Sequence, residues 1–145
     1  MNTKGFARII YGILALLGVI LVGGMIYASL QLVLLPQPQE TTDAYLGQVQ
    51  AGDWAGAQQS HIAQDGFQQA QADWQALFSE KGSLDGWQVH SFDMLYGISF
   101  SSQGIGGTSV TAVYNLEFED DLAQVTLELL PDWQSWKISN INIRY

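Results

Sequence analysis

From Ile9 to Leu35 no residue carries a charge, and only two tyrosines, Ser29 and Gln31 interrupt the apolar character of the run. A helix needs about 20 apolar residues to cross the hydrocarbon core of a bilayer. This run of about 27 would extend roughly 40 Å, enough to span with tilt. A cleaved secretory signal has a basic start, an apolar stretch of about 7–15 residues and a small-x-small cleavage site. Lys4 and Arg8 supply the basic start. However, the apolar stretch is about twice too long, and the best cleavage candidate, Ile26-Tyr27-Ala28, is bulky where small residues are preferred. A soluble domain of this size could not hide such a segment. The reading is an uncleaved signal-anchor at 9–35, with 1–8 as a cytoplasmic amino terminus.

Basic flanks stay in the cytoplasm. Lys4 and Arg8 precede the run, whereas after it Glu40 and Asp43 come early and no Lys or Arg appears before Lys81. The orientation expected is therefore amino terminus inside and residues 36–145 outside, in a periplasm or, where thylakoids exist, their lumen. Gly12 and Gly23 fall on nearly one helical face, and Gly24 with Ala28 forms a small-xxx-small pair. Such residues let a second helix approach closely, which makes these four the expected contacts with a partner helix. The span holds no ionisable residue at depth, an argument against an ion or substrate path through it.

Pro36-Gln37-Pro38-Gln39-Glu40 reads as a short stiff linker at 36–40, since proline cannot continue a helix and Pro-x-Pro favours extended chain. Residues 41–145 suffice for one core. The chain has a net charge of −9, and beyond Leu35 only Lys81, Lys137 and Arg144 oppose all fourteen acids. That balance excludes phosphate-backbone binding and so nucleic acid, and it disfavours adsorption on anionic lipid. With no cysteine, thiol chemistry and disulfides are absent.

The first half of this domain has helical period. Thr41 or Thr42 is a candidate cap for a helix carrying Asp43, Tyr45, Leu46 and Val49 to about Gly52. Asp53 caps a short second helix with Trp54, Ala57 and Ile62 inward. Asp65 caps a third, in which Phe67, Ala70, Trp74, Leu77 and Phe78 form an amphipathic stripe ending at Gly82. Then the period becomes two. Trp87–Phe100 is strand-like with a bend at Gly97, and 101–107 is a Gly/Ser turn. Val110, Ala112, Tyr114, Leu116 and Phe118 alternate on one strand, and Ala123, Val125, Leu127 and Leu129 on the next. Glu119-Asp120-Asp121 and Pro131-Asp132 are turns, and the last strand, 134–144, shifts phase near Ser139-Asn140, as a bulge would. Short turns imply an antiparallel meander. The fold class expected is α+β: a transmembrane helix, then helices packed on a curved four-stranded antiparallel sheet.

The order of a helix with Tyr45-Leu46, the segment Ala51-Gly52-Asp53-Trp54-Ala55-Gly56-Ala57, a third helix, long strands and a closing Trp136-Lys137-Ile138 resembles the nuclear transport factor 2-like, or cystatin-like, superfamily over residues 41–145. The resemblance implies that Asp53 caps, that Trp54, Ala57, Trp136 and Ile138 pack, and that the curved sheet forms a cone. That superfamily holds isomerases, dehydratases, binding subunits and scaffolds, so the fold does not carry function.

Chemistry-bearing residues are sparse. His61 and Asp65 are four apart, and His90 lies near Asp93 and Met94, but the Asp65 cap separates the first pair and nothing joins the two histidines. Both are read as surface or hydrogen-bonded. Glu117, Glu119, Asp120 and Asp121 lack the spacing of a calcium loop and read as a solvated hairpin tip. Gly104-Ile105-Gly106-Gly107 lacks the lysine of a phosphate loop. No catalytic residue, metal ligand or cofactor is therefore assigned. Trp54, Trp74 and Trp136 have core-like phases, whereas Trp87 and Trp133 lie near turns as candidate interface aromatics. The expectation is a non-enzymatic accessory, assembly or scaffold subunit of a membrane protein complex, bound to lipid and to a membrane-protein partner. The alternatives are a small-ligand-binding module or enzyme with a pocket in the sheet cone, and a soluble domain released by cleavage at Ala28.

Overall fold

The computed structural model describes residues 3–95, 99–101, 104–119, 121–132 and 135–144, with side chains described for 8–27, 35–95, 107–119, 121–132 and 135–144. The chain divides into two compact units, Met1–Leu34 and Leu35–Tyr145. The first is one helix, α1 (Thr3–Leu34). Within it Arg8–Tyr27 is long and apolar enough to cross a membrane, a test that a signal sequence also passes.

The second unit is α+β. It runs α2 (Pro38–Gln50), α3 (Trp54–Gln59), α4 (Gln64–Lys81), β1 (Leu84–Leu95), β2 (Ser99–Ser101), β3 (Gly104–Gly106), β4 (Ser109–Phe118), β5 (Asp121–Asp132) and β6 (Ser135–Arg144). A four-stranded antiparallel sheet has the order β1-β4-β5-β6, while β2 and β3 form a separate two-stranded pair. The segment read as a Gly/Ser turn thus contains β3 and the last residue of β2, Ser101, while Ser99 and Phe100, read as the end of the first long strand, belong to β2 rather than to β1, which ends at Leu95. Gly97 lies outside the described residues.

One sheet face is apolar because side chains alternate along a strand. Val110, Ala112, Tyr114 and Leu116 of β4 and Val125, Leu127 and Leu129 of β5 have no exposed surface. Opposite them, α2 contributes Tyr45, Leu46 and Val49, and α4 contributes Phe67, Ala70, Trp74 and Leu77 at the spacing of one helical face. The phase shift in β6 is a bulge at Ser139: Glu128 pairs with Asn140 and Leu129 with Ile138. The Ser139 hydroxyl donates to the Glu128 carbonyl at 3.1 Å.

Several boundaries differ from the sequence reading. α2 starts inside the expected linker, with Gln37 as its cap and Pro38 in its first turn. Proline suits that position, because its missing N–H would be unsatisfied there anyway. Thr42 therefore lies inside the helix and caps nothing. The cap of α4 is Ala63 without a side-chain bond, and Asp65 sits in the first turn, where the helix dipole favours a carboxylate. Ile62 is 51% exposed rather than inward. Pro131 and Asp132 are strand residues opposite Trp136 and Ser135. Beyond Leu129, β5 has no registered β4 partner, so a proline there disturbs no second ladder.

Two local features follow the reading. The Asp53 side chain accepts from the Gly56 amide at 3.0 Å, and a Cβ on Gly56 would lie 2.3 Å from the same carboxylate, so cap and glycine form one unit. Gly82 ends α4 at φ 88, ψ −153, a region essentially reserved for glycine. Gly82→Ala is expected to lower unfolding stability by about 1–3 kcal/mol, read by denaturant unfolding of the detergent-solubilised chain.

Candidate functional site

On α1, a Cβ built on Gly12, Gly18, Gly23 or Gly24 meets nothing within 4 Å. A shallow apolar groove runs along Ala15, Gly18, Val19, Val22, Gly23 and Ile26. Of the residues expected to meet a partner helix, Gly23 lines this groove, while Gly12 and Gly24 lie outside it. Ala28 belongs to α1, but its side chain lies outside the described residues. Gly18 lines the groove as well and is not among the expected contacts. The signal for it is the spacing Ala15, Gly18, Val22, Ile26, which repeats at three or four residues.

In the second unit, polar side chains join α2 to the sheet. The Thr42 hydroxyl donates to the Gln39 carbonyl at 2.9 Å and forms a short hydrogen bond with the Tyr114 hydroxyl. The Asp43 carboxylate accepts from the Trp87 indole nitrogen at 3.1 Å. Burial pushes the Tyr114 phenol up, the Thr42 bond opposes this, and the Asp43 carboxylate beside it adds to the rise. Tyr114 therefore keeps its proton near neutrality. Trp87, a candidate interface aromatic, thus has its N–H engaged within the domain. Trp133 lies outside the described residues. Deeper, the Trp74 indole donates to the Tyr45 hydroxyl at 3.0 Å with both rings fully buried, and burial pushes the Tyr45 phenol up.

The two hydroxyls differ in what their removal strands. Without Tyr45 Oη the buried Trp74 N–H loses its partner, whereas without Tyr114 Oη the Thr42 hydroxyl keeps Gln39. Tyr45→Phe is expected to cost about 1–3 kcal/mol and Tyr114→Phe about 0.5–1.5 kcal/mol, measured by urea unfolding of the two variants side by side.

The histidines do not meet. His90 is the extra residue of a bulge in β1, between Val89 and Ser91. His61 lies beyond β6, the strand at the opposite edge of the sheet, so the whole width of the sheet separates the two. The loop holding His61 is stitched to that edge: Ile62 N donates to Ile138 O at 3.0 Å, and Ile138 N donates to Ser60 O at 2.7 Å. Contrary to the sequence reading, His61 Nε2 is buried and has no hydrogen-bond partner among the described residues. Its ring lies edge-on to Tyr45 and Phe67, with centroids 5.4 and 5.2 Å away. Burial lowers its pKa from 6.5 to about 4.

A base held neutral by the fold but free to protonate when unfolded stabilises fully above the unfolded pKa. This contribution is lost as pH falls from 6.5 through about 4. The shift corresponds to at most about 3 kcal/mol, less to the extent that water reaches the ring. Melting temperature is expected to fall over this window more steeply in the native chain than in His61→Gln.

At the acidic hairpin, Lys81 pairs with Asp121, holding its carboxyl below the usual range, and Gln88 donates to Glu117 at 2.7 Å. Asp120 lies outside the described residues. Among the described residues, no group of three His, Asp or Glu is placed to hold a metal ion. No family model matches this chain, and neither a curated protein nor a solved structure does.

Proposed function

We propose that this chain is a non-enzymatic accessory, assembly or scaffold subunit of a membrane protein complex. α1 is its uncleaved anchor, with the amino terminus in the cytoplasm and the α+β domain in a periplasm or lumen. Lys4 and Arg8 ahead of the span, with no basic residue after it before Lys81, support that orientation. The observation that carries the reading is the pairing of Thr42 with Tyr114, Asp43 with Trp87 and Tyr45 with Trp74. These interior polar groups are committed to joining helices and sheet. Meanwhile the α1 groove at Gly18 and Gly23 offers a close approach to a second helix.

The fold reading goes with this. Helices first and a four-stranded antiparallel sheet second support a place among nuclear transport factor 2-like or cystatin-like domains, with Asp53 and Trp54 opening and Trp136 and Ile138 closing the pattern.

Purification of the full chain in mild detergent, followed by mass spectrometry, tests the proposal. A stoichiometric membrane-protein partner is expected, and Gly18→Leu is expected to reduce its recovery several-fold by closing the groove. The intact mass should retain the opening helix. A monodisperse free monomer, or a mature chain that begins at Ser29, overturns the reading.

A further inference from the structure

The turn from α2 to α3 and the turn from α4 to β1 enclose an open cleft of about 500 Å³. Its floor is apolar: Val49, Trp54, Phe78 and Leu84. The Phe78 ring is wedged among three others, with centroids 6.5 Å from Trp54, 5.8 Å from Trp74 and 6.4 Å from Phe118. That packing makes the wall preformed, as ligand-binding clefts usually are. The rim has a different character. Ala51 and Gly82, the residues that close α2 and α4, both line the cleft, so the carboxyl ends of two helices meet on it. Each such end carries roughly half a negative charge, which favours a cation.

Nearby side chains add to that sign. Among the described residues, no lysine or arginine lines the cleft. Asp85, next to the lining residue Leu84, is exposed, whereas the Asp53 carboxylate is already engaged at the amino end of α3. α2 has no basic residue in its last turn. α4 has Lys81, but that ammonium is held between Asp121 and Glu80, so carboxylates outnumber it. An aromatic and aliphatic floor beneath a negative rim suits a cation with an apolar stem, whose stem packs on the floor while its charge meets the helix carboxyl ends.

We infer that this cleft receives a basic side chain of the partner protein, an arginine or lysine flanked by apolar residues on an extracytoplasmic loop. This rests on the subunit reading and names the chemistry of the contact. The domain's own charge matches it: fourteen acids against three bases beyond Leu35 repel an acidic loop and steer a basic one.

The test uses the full chain in nanodiscs and a blocked tripeptide, acetyl-Leu-Arg-Leu-amide, titrated against the Trp54 indole N–H resonance, assigned through Trp54→Phe. A saturable shift is expected, about tenfold weaker with citrulline in place of arginine, since the isostere lacks the charge. Ser83→Trp, which fills the exposed rim from a position outside the core, should abolish it. Asp85→Lys should weaken it several-fold, and both variants should keep the native dispersion of the amide spectrum. Equal binding of the arginine and citrulline peptides overturns the inference. So does persistence of the shift in a folded Ser83→Trp chain, or no saturation up to about 10 mM. Peptide binding without a co-purifying membrane partner would sink the subunit reading and leave the cleft standing. A partner without peptide binding would do the reverse.

Discussion

The α+β unit hangs together through the seating of α2 on the sheet. Tyr45, Leu46 and Val49 reach zero exposure there, and burial of such side chains is worth about 1.5–3 kcal/mol each. Apolar contact alone would let the helix slide or rotate. Thr42 bonded to Tyr114 and Asp43 bonded to Trp87 remove that freedom, because each bond is satisfied at one position of the helix only. The pairing also explains how polar atoms tolerate the interior: a buried donor without a partner would cost more than the bond contributes.

The other helices depend on that seating. Tyr45 gives Trp74 of α4 its hydrogen-bond acceptor and gives His61 an aromatic wall. The loop carrying His61 then joins β6 through two backbone bonds at Ile138. In this way one edge strand is partly closed by a loop, while a bulge interrupts the next stretch of it at Ser139. Bulges and covered edges are how sheets avoid pairing with stray strands. The His90 bulge plays the same part on β1.

Different physics governs α1 and the α+β domain. For α1 the question is solvation: its described side chains from Ile9 to Tyr27 are all exposed within the chain, and hydrocarbon can cover them without any protein partner. For the domain the question is charge and shape. Two helix carboxyl ends and an aromatic floor meet at one cleft of a strongly acidic domain, and none of these alone would specify a ligand.

The sequence by itself determined those features whose cause is local or periodic. The uncharged run marks α1, strict alternation marks β4 and β5, the stripe from Phe67 to Leu77 marks α4, and Asp53 and Gly82 mark the ends of helices. The phase change at Ser139 even marked a bulge. Only the tertiary structure decided what depends on residues far apart in the chain. Thr42 reads as a cap until Tyr114, 72 positions later, is seen to hold it. His61 reads as a surface or hydrogen-bonded histidine until Tyr45 and Phe67 are seen around it. Pro131 reads as a turn until the β4 ladder is seen to stop short of it. The cleft was not legible at all, because its lining comes from four separate elements and their connecting turns. Their meeting is set by how the helices pack, which no single stretch of sequence encodes.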